Sequence, residues 1–373
     1  MEHYIRKAVR LELSMCVFYT RLMKKNLFAV ISIVIVITLA SCATKAPENP
    51  NAEEPLSLWT EDARARNELI SFVEAAVDEN SEGFIPAERR IAVFDMDGTL
   101  LCETDLDYFD HLLLAYRVLE DSTYKDYASE AEREVADKIV TLSQTSSPVG
   151  GLDVEHGIAV ATAFKGMTPD EFIDYIQAFK ELPMPGYEGM KRGDSFYLPM
   201  IQVIEYLQAN GFTIYVISGT DRFISRAIFV NNVIDIPPAQ IIGSDVSLVA
   251  TNQGDTDGLK YTFQDTDQVL LGGEFLIKNL KMNKVSAIVR EIGVQPVLSF
   301  GNSTGDAAMA EYVTTGNVYP SLAFMLCCDD TVRENGNESK AENMYNLCEQ
   351  YDWIPISMKN DWTTIYGENV TRK

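Results

Sequence analysis

The sequence predicts an α/β protein with a parallel sheet and a helical insertion after its first strand. Three observations carry this expectation. From residue 91 onward, short apolar runs alternate with helical patterns, the signature of βαβ units. Three of those runs, ending at Phe94, Ile217 and Phe300, stop in polar turns that contain glycine. Between the first and second runs the spacing of apolar residues is helical rather than alternating. Ligands of parallel sheets bind beyond the carboxyl ends of the strands, so the three turns are expected to converge on one site.

The first 42 residues are read as a leader rather than as part of the fold. Arg21, Lys24 and Lys25 precede an apolar run from Leu27 to Ala40. That is a charged n-region followed by an h-region, and it is short for a span of about 17–25 residues. It ends Leu39-Ala40-Ser41-Cys42, which resembles the bacterial lipobox. The resemblance implies cleavage before Cys42, lipid on its thiol, and an extracytoplasmic, membrane-anchored lipoprotein of the periplasm or outer membrane. Met23-Lys24-Lys25 would open a leader of ordinary length, and an uncleaved anchor helix is the alternative. Residues 43–55, rich in Pro, Asn, Glu and Ala, read as a solvated tether.

Residues 56–101 open the core. Leu69, Ile70, Phe72, Val73 and Ala76 lie at helical spacing within Leu56 to Asn80, and Ile91–Phe94 is the first strand. Residues 102–211 read as a helical cap. Asp105–Leu119, Tyr124–Leu142 and Pro169–Phe179 are amphipathic, and Thr168-Pro169-Asp170-Glu171 is a helix start. Ser146 to Gly151 is a loop, and Pro199–Asn210 is a helix ended by Gly211. The core resumes over 212–373. Phe212–Ile217 is a strand, and Ser218-Gly219-Thr220-Asp221 opens a helix that runs to about Val230. Gln240–Ile242 is a short strand, and Ser244 to Leu276 reads as hairpins with glycine turns. Lys284–Ile292 is a helix with Asn283 as its cap. Pro296–Phe300 and Leu322–Leu326 are strands. The tail from Asp329 shows no clear pattern, and there are no internal repeats.

Composition narrows the partners. The chain has 31 Lys+Arg and 55 Asp+Glu, a formal net charge of −24. Without residues 1–42 it keeps 25 basic and 53 acidic residues, a net charge of −28. Such a surface repels nucleic acid and anionic lipid at long range, so no nucleic-acid partner is expected. An anionic substrate would need local positive charge. The three histidines, His3, His111 and His156, form no cluster in sequence, which argues against a histidine nucleophile. No metal-type Cys/His spacing is present. In an oxidising compartment Cys348 could pair with Cys327 or Cys328, and free buried thiols fit equally.

The segment Asp95-Met96-Asp97-Gly98-Thr99-Leu100 follows the first strand directly. Charges are rarely buried without a partner, so this pair is expected at a strand end around a cation. Two carboxylates two residues apart, followed by a turn, suit acyl-phosphate chemistry. One attacks phosphorus and the other handles the proton. Asp-x-Asp-Gly also occurs in calcium loops, so the segment alone leaves both readings open.

Three further motifs follow in order: Ser218-Gly219-Thr220, Lys284, and Gly301-Asn302-Ser303-Thr304-Gly305-Asp306. With Asp95-Met96-Asp97-Gly98-Thr99 they resemble the motifs of haloacid dehalogenase (HAD) superfamily phosphatases. The position of the insertion resembles the phosphoserine phosphatase-like branch. The resemblance implies a Rossmann-like core with a helical cap, Mg²⁺ as cofactor, and hydrolysis of a small phosphomonoester through an aspartyl phosphate. It implies Asp95 as nucleophile and Asp97 as general acid and base. Ser218, Gly219 and Lys284 would bind the phosphoryl group, and Asp95, Asp97, Asn302 and Asp306 would serve the metal. The family carries an acidic residue where this chain has Asn302, which removes one negative charge. Asp97 disfavours the dehalogenase branch, which lacks this second aspartate. Glu103, near the position of a substrate-amine contact in phosphoserine phosphatase, lies with Asp105 and Asp107 beside Tyr108 and Phe109, which suggests a phosphoserine- or phosphocholine-like ester. The alternatives are a broad-specificity acid phosphatase or nucleotidase lipoprotein, and a catalytically weakened lipoprotein that binds phosphoryl ligands.

Overall fold

A computed structural model describes residues 55–103, 108–145, 151–232 and 234–373. The leader, Cys42, tether residues 43–54, Asp105 and Asp107 lie outside the described residues, as does the loop over 146–150. Among the described residues no helix is long and apolar enough to cross a membrane.

The core is a seven-stranded sheet. In chain order its strands are β1 (Ile91–Phe94), β3 (Thr213–Asp221), β4 (Ile241–Ala250), β5 (Val269–Ile277), β6 (Leu298–Gly301), β7 (Leu322–Cys327) and β8 (Ile354–Ser357). A short pair of β2 (Tyr187–Glu188) and β9 (Thr371–Arg372) stands apart. The sheet order is β5-β4-β3-β1-β6-β7-β8. All neighbours are parallel except β4 and β5. This is the predicted Rossmann-like α/β architecture. Strand β1 is buried along its whole length, as a central strand covered on both faces must be.

The helices that cover it are α1 (Arg64–Val77), α6 (Leu198–Ala209), α7 (Arg222–Phe229), α8 (Met282–Ala287), α9 (Ala307–Thr314) and α10 (Glu338–Tyr351). Successive side chains of a strand point to opposite faces, and β1 divides accordingly. Val93 packs with Ile217, Ile242, Ala287, Met309 and Val313 on the side of α8 and α9. Ala92 and Phe94 join the large cluster that includes Leu69, Val73 and Ile204. On that face Phe94 stacks on Phe300 at 4.3 Å, and Phe300 on Phe324 at 4.9 Å. Phe94 pairs in register with both Val216 and Phe300, so the ends of β1, β3 and β6 lie side by side.

Between β1 and β3 lie α2 (Phe109–Ala115), α3 (Glu130–Thr145), α4 (Leu152–Ala163) and α5 (Pro169–Lys180), with α6 leading back to the sheet. The last turn of α2 widens into a π-helical turn, Tyr116–Glu120. There Arg117 packs over the rings of Tyr124, Phe164 and Tyr175 and pairs with Asp121 at 2.7 Å. Burial alone would raise the Asp121 carboxyl. Bonds from Thr123, Arg117 and Tyr175 outweigh it and pull the carboxyl down to about 2. A carboxyl depressed on folding stabilises above its unfolded value and loses that contribution as pH falls through the folded one. We expect Asp121→Asn to cost on the order of 1–2 kcal/mol at pH 7. In urea titrations the gap from wild type should close between pH 4 and pH 2; a gap that stays constant would refute the assignment.

Lys180, at the end of α5, fixes this helical layer to the core. Its buried Nζ donates to the carbonyls of Ala227, Ile228 and Val230 at 3.2, 2.9 and 2.9 Å. These carbonyls close the last turn of α7 and its cap, where Ala227 also accepts from the Val230 amide at 3.2 Å.

Several sequence expectations shift. The first helix starts at Arg64 rather than Leu56. Helix α3 starts at Glu130, because Ser129 and Glu132 cap it reciprocally. Helix α4 had no counterpart in the sequence reading. The hairpins expected over 244–276 are one antiparallel pair, with β4 running unbroken from Ile241. Helix α8 begins after Lys281, not after Asn283, whose amide instead donates to the Lys278 carbonyl at 2.8 Å. The unassigned tail forms β7's neighbours α10 and β8, then crosses back over the core. Arg333 donates to the carbonyls of Trp362 and Met358, and Trp59 meets Trp362 edge-on at 5.8 Å. Cys102, Cys327, Cys328 and Cys348 are free thiols.

Candidate active site

The four motifs meet at the carboxyl ends of β1, β3 and β6. Asp95 continues β1, its amide donating to the Phe300 carbonyl at 2.9 Å. The chain then turns tightly, Gly98 donating to Leu101 at 2.8 Å. Gly98 has φ +77°, and a Cβ there would lie 2.0 Å from the Asn302 amide nitrogen. Asn302 therefore makes the close approach that keeps this position a glycine. The register of β3 shifts between Ile217 and Asp221, and such an irregularity re-aims the side chains of Ser218 to Thr220. At Gly219 the Leu280 side chain approaches to 2.6 Å of where a Cβ would stand, so a larger residue there would have to displace it.

Lys284 is the centre of the charge arrangement. It is fully buried. Its Nζ donates to Asp95 Oδ1 at 2.5 Å and to the Ile217 carbonyl at 2.5 Å, and pairs with Asp306 Oδ1 at 2.7 Å. Burial works against its charge, but Asp306 and Asp95 outweigh it and hold Lys284 above the ordinary lysine value. Asp95 Oδ2 accepts from Thr99 Oγ1 at 3.3 Å. Burial, then the Asp306 charge, push Asp95 up to about 7 against the pull of Lys284. Asp97 Oδ2 accepts from Thr220 Oγ1 at 2.9 Å, while its Oδ1 is buried without a hydrogen-bond partner. Burial, then Asp110 and Asp95, push Asp97 well above the usual carboxylate range.

Asp306 is committed to its own loop. Its Oδ2 accepts from the amides of Asn302 and Ser303, at 3.2 and 3.0 Å, and from Ser303 Oγ at 3.1 Å. Ser218 is buried, and its Oγ accepts from the Thr220 amide at 3.0 Å. Glu103 accepts from Tyr108 Oη at 2.7 Å and is hydrogen-bonded by the Asn302 side chain. Burial raises its carboxyl. Asp95, Asp97, Glu103, Asn302 and Asp306 border one pocket, open to solvent, of about 500 Å³ including that open space, with Gly219, Thr220 and Lys278. Tyr108, Asp110, His111 and Asp153 of the helical layer complete its wall.

A family model for haloacid dehalogenase-like hydrolases matches residues 92–311, more than half of the chain. The chain belongs to the haloacid dehalogenase-like hydrolase family. It is therefore an enzyme of hydrolytic type. Among solved structures, a conserved protein of unknown function from Anaerococcus prevotii is 13% identical with a TM-score of 0.49, covering 82% of this chain and 96% of its own. A protein of unknown function from Bordetella pertussis is 13% identical, TM-score 0.44, covering 72% and 98%. Cytosolic 5′-nucleotidase IIIB bound to cytidine is 12% identical, TM-score 0.46, covering 80% and 86%. These likenesses concern shape and carry no weight for the reaction. No curated protein matches the chain.

For a chain of this family, the cavity brings together Asp95, Asp97, Gly219, Asn302 and Asp306, with Glu103 at its wall. Lys284 and Ser218 stand directly behind them. Sequence reasoning gave no role to Thr220, Asp110 or Lys278. It also dismissed a histidine cluster, yet the His111 and His156 rings lie 4.4 Å apart. They come from α2 and α4, and the unrecognised helix α4 hid the contact. The Asp97–Thr220 bond was within reach, since the hydroxyl follows Ser218-Gly219 at the end of the same strand.

Proposed function

We propose that this chain is a Mg²⁺-dependent phosphomonoesterase that works through an aspartyl phosphate on Asp95. The observation that carries this reading is the buried Lys284 ammonium, held between the carboxylates of Asp95 and Asp306 beside Asp97. Asp95 attacks phosphorus, forming the acyl phosphate as the ester P–O bond breaks. Asp97 gives its proton to the departing alkoxide, a task suited to a carboxyl whose site raises its pKa. As a carboxylate it then takes a proton from the water that attacks phosphorus, which releases phosphate and restores Asp95. Ser218 accepts from Thr220 and so keeps its own proton for a phosphoryl oxygen, with the Gly219 amide beside it. Lys284 stabilises the charge that passes through Asp95.

The donor set fits Mg²⁺. Asp95, the Asp97 carbonyl and Asn302 offer oxygen ligands, the type Mg²⁺ takes, and a partnerless Asp97 oxygen lies among them. Bound there, Mg²⁺ would neutralise charge on the transferring phosphoryl group. Asp306, whose oxygens serve Lys284 and the loop amides, orients that loop around Asn302. Glu103, bonded to Asn302, supplies the carboxylate that the asparagine lacks.

Thr220 is a positioning residue for Asp97. Thr220→Val should lower kcat roughly 10–100-fold with little change in KM. An unchanged kcat would remove Thr220 from the account.

The helical segment over 102–211 acts as a cap over the substrate. An open pocket walled by Tyr108, Glu103 and Asp153 supports a small ester with an amine or quaternary ammonium, such as phosphoserine or phosphocholine. A phosphate-release screen of such esters and nucleoside monophosphates, with Mg²⁺ and with chelator, tests this reading. The amine-bearing ester should lead by at least about tenfold in kcat/KM, and chelator should abolish release. Equal rates would favour the broad-specificity reading. No release from any ester would overturn the enzyme. We place the reaction outside the cytoplasm on the strength of Leu39-Ala40-Ser41-Cys42. Palmitate labelling of wild type but not of Cys42→Ser is expected; equal labelling would contradict it.

A further inference from the structure

Asp110 and His111 on α2 and His156 on α4 form a cluster that the proposed hydrolysis does not use. One carboxylate oxygen and one nitrogen from each ring lie within 4.8 Å of one another. All three residues are buried, at 4%, 6% and 2% exposure. The setting of His156 is informative. Its Nε2 lies 3.1 Å from the Asp110 carbonyl oxygen. A carbonyl only accepts, so Nε2 carries the hydrogen. Nδ1 then faces Asp110 Oδ2 at 3.8 Å, beyond hydrogen-bond length, and has no hydrogen-bond partner. A buried nitrogen lone pair thus faces a buried carboxylate across a short gap. A cation in the gap would satisfy both. A metal-bound histidine typically donates its other ring N–H to a backbone carbonyl or carboxylate, which is the bond Nε2 makes here.

We propose that Asp110, His111 and His156 bind a borderline divalent cation of the zinc class, separate from the Mg²⁺ proposed at Asp95. Two imidazoles and one carboxylate suit such an ion, whereas Mg²⁺ favours oxygen throughout. With ligand bonds of about 2.0–2.2 Å, tetrahedral donors stand roughly 3.3 Å apart, so side-chain rotations of about 1 Å close the cluster. Asp110 and His111 border the substrate cavity. A fourth position open to that side would take water or an anionic oxygen of the substrate. Asp110 Oδ2 also lies 3.3 Å from Thr220 Oγ1, so the ion would brace the residue that holds Asp97. Lys278 borders the same cavity, and its ammonium is the competing source of positive charge.

The test is metal binding rather than turnover, so it can fail independently of the phosphatase reading. The full-length protein is stripped with chelator, then equilibrated with micromolar free Zn²⁺ under excess Mg²⁺ to fill the oxygen site. One Zn²⁺ per chain is expected, with X-ray absorption reading two imidazoles and no sulfur. His111→Ala and His156→Ala should each weaken Zn²⁺ binding at least tenfold, while Asp95→Asn leaves it unchanged. The wild-type spectrum decides the matter even where a buried histidine variant fails to fold. No retained Zn²⁺, fewer than two imidazoles, or sulfur ligation would overturn the proposal. The first of these is the outcome if Lys278 already neutralises Asp110.

Discussion

Replacing Lys284 with methionine is expected to remove both turnover and a large share of stability. The side chain is wholly buried and its ammonium has three partners: Asp95, Asp306 and the Ile217 carbonyl. Methionine fills most of the volume but leaves two buried carboxylates facing each other. Breaking a buried pair by removing one partner costs about 3–5 kcal/mol. Asp95, which burial already pushes up to about 7, can escape part of that by taking up a proton. A protonated Asp95 is no nucleophile, so the two losses share one cause. We expect kcat to fall at least about 10³-fold, together with a lower urea midpoint. Turnover within tenfold of wild type at unchanged stability would show that Lys284 is not the counter-charge of the nucleophile.

Asp97→Asn should separate the two halves of the reaction. Asparagine is nearly isosteric and can still accept from Thr220 Oγ1 through its amide oxygen, so folding should be retained. It cannot give or take a proton. With an alkyl phosphate, whose leaving alkoxide needs that proton, turnover should drop about 10²–10⁴-fold. A nitrophenyl phosphate leaves without help, so the first step should survive and the second should stall. Rapid mixing is then expected to show a burst of about one nitrophenolate per chain followed by slow release. An equal loss for both esters with no burst would place Asp97 outside the proton transfers.

The reasons why parts of this site were legible in the sequence are physical. A parallel strand that ends in Asp95-Met96-Asp97-Gly98 has few places to put two carboxylates other than a strand end. The same logic marked Ser218 and Gly301. Lys284 was harder to tell from Lys278 and Lys281, because the helix begins at Met282 and what distinguishes Lys284 is its full burial against Asp95 and Asp306. What the sequence concealed depends on contacts between distant segments. Helix α4 contains Gly157 and alanines on several sides, so no clear apolar stripe marked it, and the contact of His156 with His111 went with it. Glu103 looked like a residue awaiting a substrate. Its bond to Asn302 exists only because the turn after β1 abuts the turn after β6. The tail after Asp329 owes its form to burial against the rest of the chain, as Arg333 and Trp362 illustrate, rather than to periodicity of its own.

Turnover through an aspartyl phosphate requires that Asp95 become phosphorylated. The most direct measurement is acid quench of Asp97→Asn during turnover of a nitrophenyl phosphate, followed by borohydride reduction and peptide mapping. The expected result is one modified residue per chain, at Asp95, absent when Asp95→Asn is added. Phosphate release with Asp95 unmodified, or with the label on another residue, would contradict the mechanism.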